Sequence, residues 1–297
     1  MNEEGLVMGS DLLLIFCFFS FAMGACIASF LNVVIWRVPR GESIVNPPSH
    51  CPKCNSPIRW WQNLPILSWL SLRGKCANCK EPISPRYILI ELLGGVLFLA
   101  AFWKFGAFAV ENFDRVSPYI FCISWFRTVV MWIWLALMIV GSMIDFDHKL
   151  LPDFVTVGGM ALGVTFHAIE WLSCLLCSEI TSMNQILTSL SGLTFGFGLL
   201  WLVRFLGSKA FKREAMGLGD VFLMGAVGAL FGPVAVLVTL ILSSVFGSIV
   251  GLGMVALAKT RFGRFVEIPY GPYICLGCLA WMFFGIELVN WYLKLLR

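Results

Sequence analysis

The sequence predicts an all-α polytopic membrane protein of about eight transmembrane helices, with one small cysteine-bearing loop domain between helices 1 and 2. Three observations support this. Of 297 residues, 59% are hydrophobic and only 13% charged, about half the charged share of a soluble domain. Apolar runs long enough to cross about 30 Å of hydrocarbon recur along the chain. The longest polar stretch carries two CxxC pairs.

The first run follows "MNEEGLVMGSD", which contains no basic residue, and it outlasts the apolar region of a signal peptide. It is therefore expected to be a retained span, at roughly 11–35. Further runs lie near 87–103, 119–144, 154–172, 186–206, 220–231, 233–257 and 271–293. The sixth is short. It separates from the seventh only because Gly232-Pro233 breaks the run, and without that break the count is seven. The expected divisions are a first span (1–36), a loop domain (37–86) and a seven-helix membrane domain (87–297).

Eight spans put the segments 36–86, 145–153, 204–219 and 258–270 on one side. These hold eight, one, four and three basic residues, 16 of the 21 Lys and Arg. The positive-inside rule makes that side cytoplasmic and both termini external. The net charge of +4 is uninformative, because in a membrane protein the placement of the charges matters more than their sum. No repeat of fixed period and no glycine-rich phosphate loop is visible. The expected surroundings are a lipid bilayer, with no nucleic-acid partner.

The loop domain 37–86 contains eight prolines and little helix signal. Cys51, Cys54, Cys76 and Cys79 stand in it as CPKC and CANC. Each two-residue spacing lets a tight turn aim two thiolates at one ion, and two such turns complete a tetrahedral site for Zn²⁺. A loop this small needs such a staple, and a closed four-thiolate site is structural. His50 adjoins Cys51 and is a substitute ligand. Cys174 and Cys177 fall in an external loop, where they either pair or remain reduced. Cys17, Cys26, Cys122, Cys275 and Cys278 lie in spans as small packing residues.

Ionisable groups at membrane depth are costly and mark function by default. Asp145 directly follows "LALMIVGSMI", and Asp220 closes "MGLGD" at the edge of the sixth run. Asp153, after Pro152, suits a helix N-terminus. Asp147 and His148 lie a turn beyond the third span, where they face water or supply a second acid. Gly217 and Gly219 flank the approach to Asp220; they permit positive φ and close approach of an extended peptide, or else form a hinge. Two carboxylates at one membrane face invite the aspartic-protease arrangement, in which the pair shares a proton, one member activating water and the other protonating the oxyanion. His167, inside an apolar span, reads as a packed histidine.

These motifs together resemble the bacterial prepilin peptidases, the type 4 prepilin leader peptidases and N-methyltransferases. The resemblance covers nearly the whole chain, through "GACIASFLNVVIWRVPRGES" (24–43), the CxxC pairs, "NLPILSWLSLRGKCANCKEPISPRYILIELLGG" (63–95), "DFDHKLLPD" (145–153), "MGLGD" (216–220) and "IPYGPYICLG" (268–277). It implies an eight-helix GxGD aspartic protease of the bacterial inner membrane that removes short basic leaders from prepilins or pseudopilins at the cytoplasmic face. The family's catalytic aspartates map onto Asp145 and Asp220. Methylation of the new N-terminus with S-adenosylmethionine is implied by the resemblance alone, since no Rossmann-type fingerprint appears. Glu42 and Glu91 are candidates to hold the amine or the cofactor; the alternatives are a solvated loop residue and an internal hydrogen-bond anchor. Two departures from relatives are visible. Phe222 stands where many carry lysine, a charge that Lys212 or Arg213 would have to replace, and the stretch between the aspartates is longer, in the 174–184 loop.

Two readings from other classes use the same carboxylates: an ion-coupled membrane transporter and a non-catalytic secretion-assembly protein. The transporter wants carboxylates near the midplane and inverted repeats, and neither is visible. Archaeal-type preflagellin peptidases and presenilin-like proteases share GxGD, but the cysteine-bearing loop argues against both.

Overall fold

The structure is a computed structural model and describes residues 3–113, 115–176, 184–212, 214, 216–257 and 269–295. Cys177, Arg213, Lys259, Arg261 and Arg264 lie outside these. Ten α-helices are described: α1 (Glu3–Arg37), α2 (Leu67–Ser71), α3 (Pro85–Phe105), α4 (Ala107–Glu111), α5 (Pro118–His148), α6 (Asp153–Leu176), α7 (Asn184–Phe211), α8 (Leu218–Phe231), α9 (Pro233–Leu257) and α10 (Gly271–Leu295). Among the described residues the only β pairing is two isolated bridges in the loop domain. Seven helices, all but α2, α4 and α8, are long and apolar enough to cross a membrane. The sixth expected span is α8, whose 14 residues extend about 21 Å, short of a hydrocarbon core of about 30 Å.

The chain forms two compact units, 1–140 and 141–297. In the first, α1 packs on α3 through small residues: a Cβ on Gly94 would lie 2.5 Å from that of Ala28. The core beside them is aromatic. Phe98 stacks on Trp132 with centroids 5.4 Å apart, and the Trp132 indole N–H donates to the Phe98 carbonyl at 2.9 Å. Ser84 caps α3 by accepting the Arg86 N–H, with Pro85 as the first helical residue.

In the second unit α8 is the core. Its residues Asp220, Val221 and Leu223–Leu230 are all buried, against α6, α7, α9 and α10. It runs parallel to α6, from Gly219 against Leu151 to Leu230 against His167, and antiparallel to α7. Its last carbonyls, which a helix leaves unpaired, are taken by side chains. Ser189 Oγ donates to Ala229 O at 2.7 Å, and His167 Nε2 donates to Leu230 O at 3.1 Å, as a carbonyl can only accept. His167 is thus a packed histidine whose Nε2 closes a helix end. Gly232, at φ 83°, turns the chain into Pro233 and α9.

Gly192 and Gly228 hold α7 and α8 in backbone contact, since a Cβ on either would collide with the other's carbonyl oxygen. Gly228→Leu is expected to destabilise the fold by at least about 1–3 kcal/mol by forcing the helices apart. A fall in the midpoint of thermal unfolding in detergent checks this; an unchanged midpoint would contradict it.

Candidate active site and metal centre

Asp145 lies one turn before the end of α5 and is 6% exposed, whereas Phe146, Asp147 and His148 after it are exposed. Its Oδ2 accepts the Gly271 N–H at 2.9 Å. Gly271 begins α10, so this N–H is one of the donors that a helix leaves unpaired, at the positive end of the helix dipole. A Cβ on Gly271 would sit 2.7 Å from the same oxygen. Only glycine leaves room for the carboxylate to reach the helix end.

Asp220 lies in the first turn of α8 and is 8% exposed. Its carboxylate accepts the N–H of Gly217, the residue that caps the helix, and it lies within electrostatic reach of Asp145. The dyad is therefore built from three helix ends: the last turn of α5 and the first turns of α8 and α10. Helix N-termini on two sides favour negative charge on this buried pair.

The four loop-domain cysteines bring their sulfurs within 4.8 Å of one another. The two halves share one sequence pattern, C-x-x-C-x-x-P, and one backbone turn. Cys51 N–H donates to Ser56 O and Asn55 N–H to Cys51 O; equally, Cys76 N–H donates to Glu81 O and Lys80 N–H to Cys76 O. Asn55 and Lys80 take matching left-handed conformations, at φ 53° and 60°. The Cys51 and Cys79 sulfurs are 3.8 Å apart, the edge expected of a tetrahedron with metal–sulfur bonds of about 2.3 Å. The Ser56 hydroxyl and amide pull the Cys54 thiol down to about 6. Against the pull of the Glu81 amide, desolvation and the neighbouring thiols push Cys79 up to about 12. Thiols packed this closely ionise together only around a cation, so the cluster fits a metal ion.

Cys54→Ser and Cys79→Ser are each expected to abolish stoichiometric metal in the purified protein, read by elemental analysis, and to open residues 41–84 to proteolysis. Acidification should release metal from wild type. The lowered Cys54 group keeps its thiolate at neutral pH and loses it as pH falls through about 6, and bound metal moves that loss lower still. Retention of metal by either variant would contradict the site.

Comparison with known proteins gives the family. Residues 22–105 match the bacterial peptidase A24 N-terminal domain, and residues 132–252 match the type IV leader peptidase family. The chain is 31% identical to a prepilin leader peptidase/N-methyltransferase of Stutzerimonas stutzeri over the full length of both. It is 37% identical to one from Myxococcus xanthus, over 85% of this chain and 67% of that one. A relative with the same name from Pseudomonas aeruginosa is 30% identical over 92% of this chain and 91% of its own. The chain belongs to the type IV leader peptidase family. No solved structure matches it.

Within this family member, the remaining sequence candidates take distinct places. Asp147 is exposed on the last turn of α5, unlike its buried neighbour Asp145. Asp153 opens α6 as its first residue, exposed, where its charge meets the helix N-terminus. Gly217 and Gly219 both avoid the positive φ that their spacing allowed. Gly219 serves internal packing, with a Cβ there falling 2.7 Å from that of Leu151, while Gly217 is exposed and meets only Asp220 and Gly219. His50 turns its Nδ1 to the Pro48 carbonyl at 3.0 Å and is not in the sulfur cluster. Glu42 is exposed on the loop after α1. Glu91 is buried and accepts the Ile66 N–H at 2.7 Å. Phe222 packs its ring against Phe197, and Lys212 is exposed. Cys174 is buried; its candidate partner Cys177 is outside the described residues.

Two residues of the site escaped the sequence reading. Gly271 holds Asp145, and Cys275, one turn further along α10, lies within electrostatic reach of both aspartates. The signal for both was "YGPYIC", a glycine-proline start to a helix.

Proposed function

We propose that this chain is a membrane aspartic endopeptidase that removes the short basic leader from type IV prepilins or pseudopilins at the cytoplasmic face and then methylates the new N-terminus. The observation that carries the reading is the convergence of Asp145 and Asp220, two buried carboxylates from distant parts of the chain, at three helix ends. In this reading one carboxylate is ionised and one protonated. The ionised member takes a proton from water as its oxygen bonds to the scissile carbonyl carbon, and the neutral member gives its proton to the carbonyl oxygen. Collapse of the adduct breaks the C–N bond, and the leaving nitrogen receives a proton from the dyad. Gly271 fixes one oxygen of Asp145, leaving the other for the chemistry. Gly217, open on its outer side, lets an extended substrate strand approach Asp220.

Cys51, Cys54, Cys76 and Cys79 would hold Zn²⁺ in a closed tetrahedral site, where the ion cross-links the loop domain 37–86 and leaves no position for substrate. The basic residues concentrated on one set of connections support a cytoplasmic position for both this domain and the dyad, external termini and an inner-membrane setting. Methyl transfer from S-adenosylmethionine rests on the relatives' names. Of the two candidates for that cofactor's site, Glu91 accepts the Ile66 N–H through one oxygen and Glu42 is exposed on a loop.

The test is intact-mass analysis of a prepilin co-reconstituted with the enzyme, with and without S-adenosylmethionine. Loss of the leader followed by a methyl increment is expected. An uncut prepilin would overturn the peptidase reading, and a cut but unmethylated product would overturn methyl transfer alone.

A further inference from the structure

The segment Trp60–Leu72, "WWQNLPILSWLSL", contains no charged residue and is bracketed by Arg59 and Arg73. It presents much of its apolar surface outward: Trp60 is 76% exposed, Leu67 66% and Leu70 55%. In a polar loop that would be a liability. Its place in the fold gives another meaning.

The 21 residues of α3 extend about 32 Å, just enough to cover the hydrocarbon core, which puts Pro85 near one boundary. Glu91 lies six residues further along, about 9 Å past that boundary. Its buried carboxylate holds the Ile66 amide at 2.7 Å, and Ile66 is kept at φ 62°, a conformation strained for a β-branched residue. The segment is therefore tied to α3 at the depth of lipid. It also lies along α1 rather than beyond its end. A cavity of about 370 Å³ is lined both by Asn63, Leu64 and Pro65 and by Cys26, Ser29 and Val33 of α1; Cys26 precedes Arg37 by about 16 Å of helix.

The backbone is prepared for a medium poor in water. The N–H groups of Gln62, Ser68, Leu70 and Leu72 find carbonyls within 59–68, and that of Ile66 finds Glu91. At the rim, guanidinium groups lie over indoles: Arg59 over Trp61 at 5.2 Å, and Arg40 over Trp36 at 3.7 Å. Indoles with adjacent cations suit the headgroup layer and its anionic lipids.

We propose that residues 60–72 form a membrane-interfacial wedge, through which the metal-cluster domain contacts lipid directly, anchored at depth by the Glu91–Ile66 bond. The test uses the full-length protein in phosphatidylethanolamine/phosphatidylglycerol vesicles without prepilin. A photoreactive benzoylphenylalanine replaces Leu67, Leu70 or, as a control on the same domain, Lys53, whose side chain is 68% exposed. Adducts with the mass of a phospholipid at Leu67 and Leu70, several-fold above the Lys53 control, are expected. Because Leu67 and Leu70 are exposed, neither replacement disturbs the core. Lipid adducts no more abundant than at Lys53 would overturn the proposal. So would adducts that switch to prepilin when it is added, which would make the surface a substrate dock.

Discussion

Replacing Asp145 or Asp220 by asparagine is expected to lower the rate of leader removal by about 10²–10⁴-fold, the contribution of positioned proton transfer, while the protein stays folded in the bilayer. Asparagine preserves volume and an acceptor oxygen, so the Gly271 N–H keeps its partner in Asp145→Asn and the Gly217 N–H keeps its own in Asp220→Asn. Each substitution removes one ionisable group and nothing else of that size. Asp147→Asn should cleave near the wild-type rate, because Asp147 is exposed on the outer side of the same turn. Rates of prepilin processing in reconstituted vesicles check all three. Equal losses in Asp147→Asn and Asp145→Asn would mean that burial is not what selects the acid.

Gly271→Ala should have the next largest effect. The added methyl would lie 2.7 Å from Asp145 Oδ2, well inside contact distance, so the carboxylate must retreat or α10 must shift. Misplacement of a reacting group by about 1 Å costs on the order of 100-fold in rate. The loss is expected in kcat with KM little changed, since Gly271 positions Asp145 and does not itself bind prepilin. Alanine is a better helix former than glycine, so the folded state should be no less stable away from the site. A Gly271→Ala enzyme with wild-type kcat would show that the Gly271–Asp145 bond is not needed.

The parts of this molecule that were legible in the sequence are those fixed by short-range pattern. The long apolar runs gave seven of the expected spans. The CxxC spacings gave the sulfur cluster, because each pair is one turn long and the turn chemistry travels with it: Asn55 and Lys80 repeat the same left-handed step. The extent of α1 was less legible. It is helical from Glu3, the first described residue, eight residues before the run expected from 11.

Contacts made across the fold were not legible. The Gly271–Asp145 bond joins residues 126 apart in sequence, and no local pattern says that the start of the last helix caps a carboxylate of the third long span. Gly217 and Gly219 looked equivalent, yet one packs against Leu151 and the other is open. Glu91 meets the Ile66 amide 25 residues away in sequence, a contact that no local pattern shows. The short α8 was visible as a weak span; the burial of Asp220, Val221 and Leu223–Leu230 came from its neighbours.

The central claim, that Asp145 and Asp220 work as one proton-sharing unit, is tested most directly by the cleavage rates of wild type, Asp145→Asn, Asp220→Asn and the double variant on one prepilin in the same vesicles. Groups that act as a unit are strongly non-additive, so the double variant should be no slower than the slower single one. Losses that multiply, or a single variant that cleaves at the wild-type rate, would contradict a shared dyad.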